Sequence, residues 1–128
     1  MKTDELKALA VAALEDVKGN EITVLDVKKL TSVMDWMIVV SGTSSRHVKA
    51  LADSVAEKSK AAGVRPLGVE GEREAEWILV DLGDVVIHVM QPTVRAFYNL
   101  EKLWDPQLET TEEVLKARMV KPARLQKR

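Results

Sequence analysis

The stretch EGEREAEWILVDLGDVVIHVMQPTVRAFYNLEKLW, from Glu70 to Trp104, decides how the rest of the chain reads. Trp77-Ile-Leu-Val80 and Val85-Val-Ile-His-Val-Met90 are apolar runs of strand length, rich in β-branched side chains that pack well on a pleated surface. Between them, Asp81-Leu-Gly-Asp84 supplies the small and acidic residues of a tight turn, with Gly83 free to take positive φ. After Gln91-Pro92 the period changes. Val94, Phe97, Tyr98, Leu100, Glu101 and Trp104 follow helical spacing, and Pro92 suits a first helical turn, where its missing N–H has no partner to lose. The spacing predicts strand, hairpin, strand and one short helix.

Upstream, residues 3–18 have the pattern of an amphipathic helix, with Leu6, Leu9, Ala10, Ala13, Leu14 and Val17 on one face. Thr3 is a candidate cap at its start, and Gly19-Asn20 a candidate end. Ile22 to Val27 is β-branched and reads as a strand, and Lys28 to Asp35 as a turn of helix. Trp36-Met-Ile-Val-Val40 is an unbroken apolar run, as expected of a strand covered on both faces. Ser41-Gly-Thr-Ser-Ser45 then leads into a helix with Val48, Leu51, Ala52, Val55 and Ser59/Ala62 inward and Gly63 at its close. Val64 to Val69, with Pro66 in it, suits an edge strand. The order α-β-β-α-β-β-β-α predicts an α/β (α+β) fold: a single mixed five-stranded sheet with flanking helices.

A chain of 128 residues forms one domain with its own core. Apolar residues at 46% and charged residues at 30% exclude a disordered chain. The absence of cysteine excludes disulfides, zinc–thiolate sites and a thiol nucleophile. No apolar run approaches the roughly 18 residues of a membrane span, and the charged start MKTDELKALA does not read as a signal peptide, so a cytoplasmic location is expected. Residues 1–104 hold 16 acidic and 13 basic side chains, whereas from Val114 onward there are six basic ones and no acid. An acidic body does not grip nucleic acid through its own positive face, though the tail could touch phosphates. Thr110-Thr-Glu-Glu113 resembles a capping box, which makes 106–128 a basic tail, partly helical or disordered, behind a domain spanning 1–105.

Three features could hold chemistry. Backbone amides and hydroxyls at Ser41–Ser45 could bind an anion, as in nucleotidyltransferases, but no Asp-x-Asp or Asp-x-Glu pair stands nearby to hold magnesium, so helix capping is the simpler reading. His47 and His88 are too few for a metal site, although Asp84 four residues before His88 could share a strand face with it as an acid–base pair. Trp77, Asp81 and Tyr98 could make an aromatic and acidic patch, and Arg95 could join it or pair with Glu101 on a solvated face.

Taken together, Asp35-Trp-Met-Ile-Val-Val-Ser-Gly-Thr-Ser-Ser-Arg-His-Val-Lys-Ala50 resembles a segment of the ribosomal silencing factor family, also called RsfS or Iojap. Val69-Glu-Gly71, Trp77 to Asp81, Gly83 to Val89, Arg95 to Tyr98 and Leu100 to Trp104 are similar in the same register, and Trp36 departs from the usual Tyr or Phe. The resemblance implies a nucleotidyltransferase-like sheet without the catalytic carboxylates, no cofactor and no catalysis. It further implies a partner in the fourteenth protein of the large ribosomal subunit, with subunit joining blocked and translation damped when nutrients are scarce. A homodimer in the free state is implied too. On that reading Glu70, Trp77, Asp81, Leu82, Asp84, His88, Arg95, Tyr98 and Trp104 are expected at the ribosomal surface, with a weak contact from the basic tail to ribosomal RNA. A nucleotide-binding enzyme centred on Ser41–Ser45 is the rival. Calorimetry with ATP and magnesium separates the two: no heat of binding is expected, and a saturable signal would favour the enzyme.

Overall fold

The two apolar runs at the heart of the sequence become the middle of a sheet. A computed structural model describes residues 1–103. In chain order it contains α1 (Thr3–Asp16), β1 (Asn20–Asp26), β2 (Trp36–Ser41), α2 (Ser45–Ala61), β3 (Gly68–Glu70), β4 (Trp77–Asp81), β5 (Val85–Met90), α3 (Pro92–Tyr98) and α4 (Leu100–Leu103). The strands form one sheet in the order β1-β2-β5-β4-β3. β2 runs parallel to β5, with Trp36 beside Val85 and Ser41 beside Met90, and the other three pairings are antiparallel. The mixed five-stranded sheet read from the sequence is the observed one.

Strand alternation divides the core in two. Ile38, Val40, Ile78, Val80, Val85, Ile87 and Val89 face α1 and α2, meeting Leu6, Leu14, Val48, Leu51 and Val55. Met37, Val39, Trp77, Leu79, Val86 and Met90 face the other way, under Val27, Met34 and Leu100. Every residue of β5 is buried, which is why its sequence shows no alternation.

Several local readings differ from the observed elements. Thr3 does not cap α1. It lies inside the helix, and its hydroxyl donates to Asp84 Oδ2 at 3.3 Å, while the Lys2 N–H donates to the Glu5 carboxylate at 3.0 Å. The chain leaves α1 through Lys18 at φ 59°, not through a left-handed glycine. Gly19 is required for another reason: a Cβ there would lie 2.6 Å from Val40 Cγ2. In α2 the expected hydroxyl cap is present, Ser44 Oγ accepting from the His47 N–H at 3.1 Å, but Ala62, expected to face inward, is exposed beyond the last turn. Lys28 to Asp35 makes one abortive turn, in which the Leu30 and Thr31 N–H groups both reach the Val27 carbonyl. The strand expected over 64–69 is confined to Gly68–Glu70 at the sheet edge. The largest departure is that the expected single helix after Pro92 is two. Asn99, at φ 47° and ψ 54°, breaks it. Asn tolerates this left-handed conformation better than most residues, because its short side chain can satisfy backbone groups locally. The capping box and helix expected in the tail lie outside the described residues.

Gly42 tests the packing at the end of β2. A Cβ there would meet Val48 Cγ2 at 2.8 Å and the Val48 backbone nitrogen at 2.9 Å, whereas at Gly68 nothing lies within 4 Å. Gly42→Ala is expected to cost about 1–3 kcal/mol in urea unfolding, and Gly68→Ala to stay within about 0.5 kcal/mol.

Candidate recognition surface

α3 is set on the sheet by Gln91. Its N–H donates to the Glu76 carbonyl at 2.9 Å, and its side-chain amide donates to Ser45 Oγ at 3.0 Å and the Ala75 carbonyl at 3.3 Å. Proline at the first position of α3 removes an N–H that would have had no helical partner. One turn later, Phe97 and Tyr98 stand at the surface over the face of the sheet away from the long helices.

These rings form the outer end of a column. His88 is fully buried on β5, and its Nδ1 accepts a hydrogen bond from Trp77 Nε1 at 3.0 Å, so that nitrogen holds no proton of its own. Trp77, on β4, is 7% exposed. Tyr98 packs over the indole with ring centroids 4.7 Å apart, and Phe97 meets Tyr98 edge-on at 5.0 Å. Exposure then climbs to 41% at Tyr98 and 81% at Phe97. A single exposed aromatic on a protein surface is ordinary, but two in contact, on a buried and hydrogen-bonded base, make a rigid apolar projection.

Arg95 sits beside this column at only 8% exposure. Its Nε and one terminal nitrogen grip both oxygens of Glu101, at 3.1 and 2.9 Å. The terminal nitrogens also reach Ser41 Oγ and Thr23 Oγ1, each at 2.9 Å. The expected Arg95–Glu101 pair therefore exists, but the guanidinium is buried and not on a solvated face. The difference matters energetically. The exposed Lys58–Asp16 pair falls in the class of surface ion pairs worth about 0–1 kcal/mol, whereas deleting one partner of a buried pair costs about 3–5 kcal/mol.

The acidic residues are spread along the face. Glu70 is half-buried on edge strand β3, and the Asp81 carboxylate accepts from the Gly83 N–H at 2.9 Å, shaping the hairpin. Asp84 is exposed in that turn, off the strand, so it does not share a face with buried His88 and the two form no acid–base pair. Leu82 packs on the opposite side, in the core under α1 and α2. Glu72, Glu74 and Glu76 are exposed in the connection leading to Trp77. Trp104 lies outside the described residues. Phe97, which in the sequence only followed helical spacing and was not among the expected surface residues, is the most exposed large apolar side chain of the described residues. The buried Arg95 turns α3 so that Phe97 points outward, and a charged residue in mid-helix gave no sign of being the inward one.

The Ser41–Ser45 turn is occupied with internal bonds. Ser41 and Ser45 accept from Arg95 and Gln91, Ser44 caps α2, and the Thr43 N–H donates to His47 Nδ1 at 2.9 Å. His47 Nε2 contacts the Val17 carbonyl at 2.8 Å, tying the end of α1 to this turn. Trp36 is half-buried, with the ammonium groups of Lys7 and Lys28 at 4.2 and 4.1 Å from its ring centre. Lys28 also shapes the turn below it: its backbone N–H, then its side chain, hold the exposed Asp26 carboxyl below the usual carboxylate range. Among the described residues, no group of three His, Asp or Glu side chains is placed to hold a metal ion, and no helix is long and apolar enough to cross a membrane.

Fold and site together define a mixed-sheet α/β protein with an exposed aromatic projection on a buried base. A family model described as ribosomal silencing factor during starvation matches residues 1–128. The ribosomal silencing factor RsfS of Chromobacterium violaceum is 54% identical over 107 residues, covering 84% of this chain and 88% of that protein. The protein of the same name from Haemophilus influenzae is 46% identical over 91 residues, covering 71% and 89%. A crystal structure of a Chromobacterium violaceum protein, 52% identical, superposes with a TM-score of 0.81 over 87% of this chain and 92% of that one. The chain belongs to the ribosomal silencing factor family.

The Trp77–His88 bond is open to direct test. Trp77→Phe keeps most of the apolar surface and removes the donor, so a loss of about 1–3 kcal/mol is expected in urea unfolding from the stranded buried acceptor. A change within error would show that the bond contributes nothing to the column.

Proposed function

We propose that this chain binds the large ribosomal subunit through its fourteenth protein and, by occupying that face, prevents the small subunit from joining. On this reading it represses translation under nutrient limitation, acting by obstruction and not by catalysis. Family membership supports the class, and the observation that supports the surface is the exposed Phe97–Tyr98 pair on its buried Trp77–His88 base. Aromatic side chains anchored on a rigid support are the usual hot spots of protein interfaces, because they bury much area at little cost in conformational entropy.

The roles of the expected residues follow from their burial. Tyr98, joined by Phe97, makes the central contact, Glu70 and Asp81 contribute negative potential toward a basic partner, and Asp84 adds charge from the hairpin beside α1. Trp77, His88 and Arg95 support that contact from beneath, Leu82 holds the hairpin to the core, and Trp104 acts as a further anchor. The same reading includes a cytoplasmic location and a homodimer when free, with weak contact from residues 106–128 to ribosomal RNA.

Capture of purified large subunits by immobilised protein tests the surface. Tyr98→Ala and Phe97→Ala, confirmed folded by their unfolding midpoints, are each expected to weaken capture about tenfold or more, as hot-spot truncations do. Undiminished capture by both would remove the aromatic pair from the interface. Truncation after Pro106 is expected to weaken capture modestly and to flatten its salt dependence, since each lost phosphate contact lowers the salt slope by about one. Complete loss of capture on truncation would instead make the tail the principal anchor.

A further inference from the structure

Arg95 and Glu101 are six residues apart, and in an unbroken helix such positions lie about 240° apart around the axis, out of each other's reach. Their two-point contact exists because the left-handed Asn99 folds α4 back across the end of α3. The pair closes a short ring around the corner, and Phe97 and Tyr98 lie inside that ring. Beyond Glu101, the guanidinium is also moored to Ser41 at the end of β2 and Thr23 on β1, so the corner is fixed to the sheet and not merely to itself. Leu100, 2% exposed, packs beneath it in the core.

We propose that Arg95 and Glu101 form a latch that selects this bent arrangement and thereby positions Phe97 and Tyr98 for their partner, with neither charge touching that partner. Without it, the helical spacing of residues 92–104 favours a single continuous helix, which would draw Leu100 out of the core and free the end of α3 that carries Phe97 and Tyr98 from its mooring on the sheet. Arg95 is on this account a positioning residue. Lysine cannot replace it, because one ammonium, with three donors on a single nitrogen, cannot meet two carboxylate oxygens and two hydroxyls at once. The inference rests on the surface proposed above, so its test separates the two.

The first arm is hydrogen exchange on the free protein. Arg95→Lys is expected to speed exchange of amides 97–102 by about tenfold while those of β2 and β5 keep their protection, since a local opening need not involve the sheet. Glu101→Gln, which retains one acceptor, should fall between. Unchanged exchange at 97–102 overturns the latch, and so does equal acceleration across the whole sheet, which would make Arg95 a general stability residue. The second arm is a double-mutant cycle on capture of large ribosomal subunits. Arg95→Lys is expected to weaken capture about tenfold in the native background and by nothing further when Phe97 and Tyr98 are both alanine, the non-additivity of residues acting as one unit. An additive loss would mean that Arg95 meets the partner itself and overturns the proposal. Undiminished capture by the aromatic double variant would overturn the surface, while the exchange result would still decide whether the corner is latched.

Discussion

The parallel pairing of β2 with β5 is the constraint on which the remaining structure depends. Both strands are apolar along their length and need cover on two faces, which a single layer of helices cannot give. α1 and α2 take one face. The other is left to Trp77, the 27–34 connection, Leu100 and the short helices α3 and α4. That thin second cover is where the chain can place side chains that are held from beneath and open above. The aromatic column and the Arg95 cluster both occupy it, and both are built on groups buried in the sheet.

This arrangement explains why aromatic, histidine and charged residues crowd into one quarter of the sequence. They are different depths of one structure. His88 and Arg95 are its buried polar members, His88 bonded through Nδ1 to Trp77 and Arg95 to Ser41, Thr23 and Glu101. Tyr98 and Phe97 are the part that meets solvent. The turn Ser41–Ser45 serves the same end, because its hydroxyls receive Arg95 and Gln91 and so fix the start and the middle of α3. A motif that suggests anion binding in the sequence becomes a socket for α3.

What could be read from the sequence follows from how local each signal was. The hairpin, the two long helices and the central strands were legible because apolar period and turn chemistry agree with tertiary packing there. The break at Asn99 was not, because Val94, Phe97, Tyr98 and Leu100 fit one helix well, and the partners that hold Arg95 on the sheet, Ser41 and Thr23, are more than fifty residues away. For the same reason Trp77, His88 and Arg95 could be grouped with Tyr98 by residue type but not sorted into buried and exposed members. Alternation shows which face of a strand a residue takes, not how deeply that face is covered. Family resemblance brought these residues together, and the structure assigns each its depth.

The central claim is that the chain meets its partner with the face beyond the sheet, through the corner between α3 and α4, and not with its long helices. Hydroxyl-radical footprinting of the protein alone and on purified large subunits tests it most directly. The account predicts strong protection of Phe97 and Tyr98, with side chains such as Leu9 and Val11 on α1 as reactive as in the free protein. Protection of α1 and α2 with Phe97 still fully reactive would contradict it.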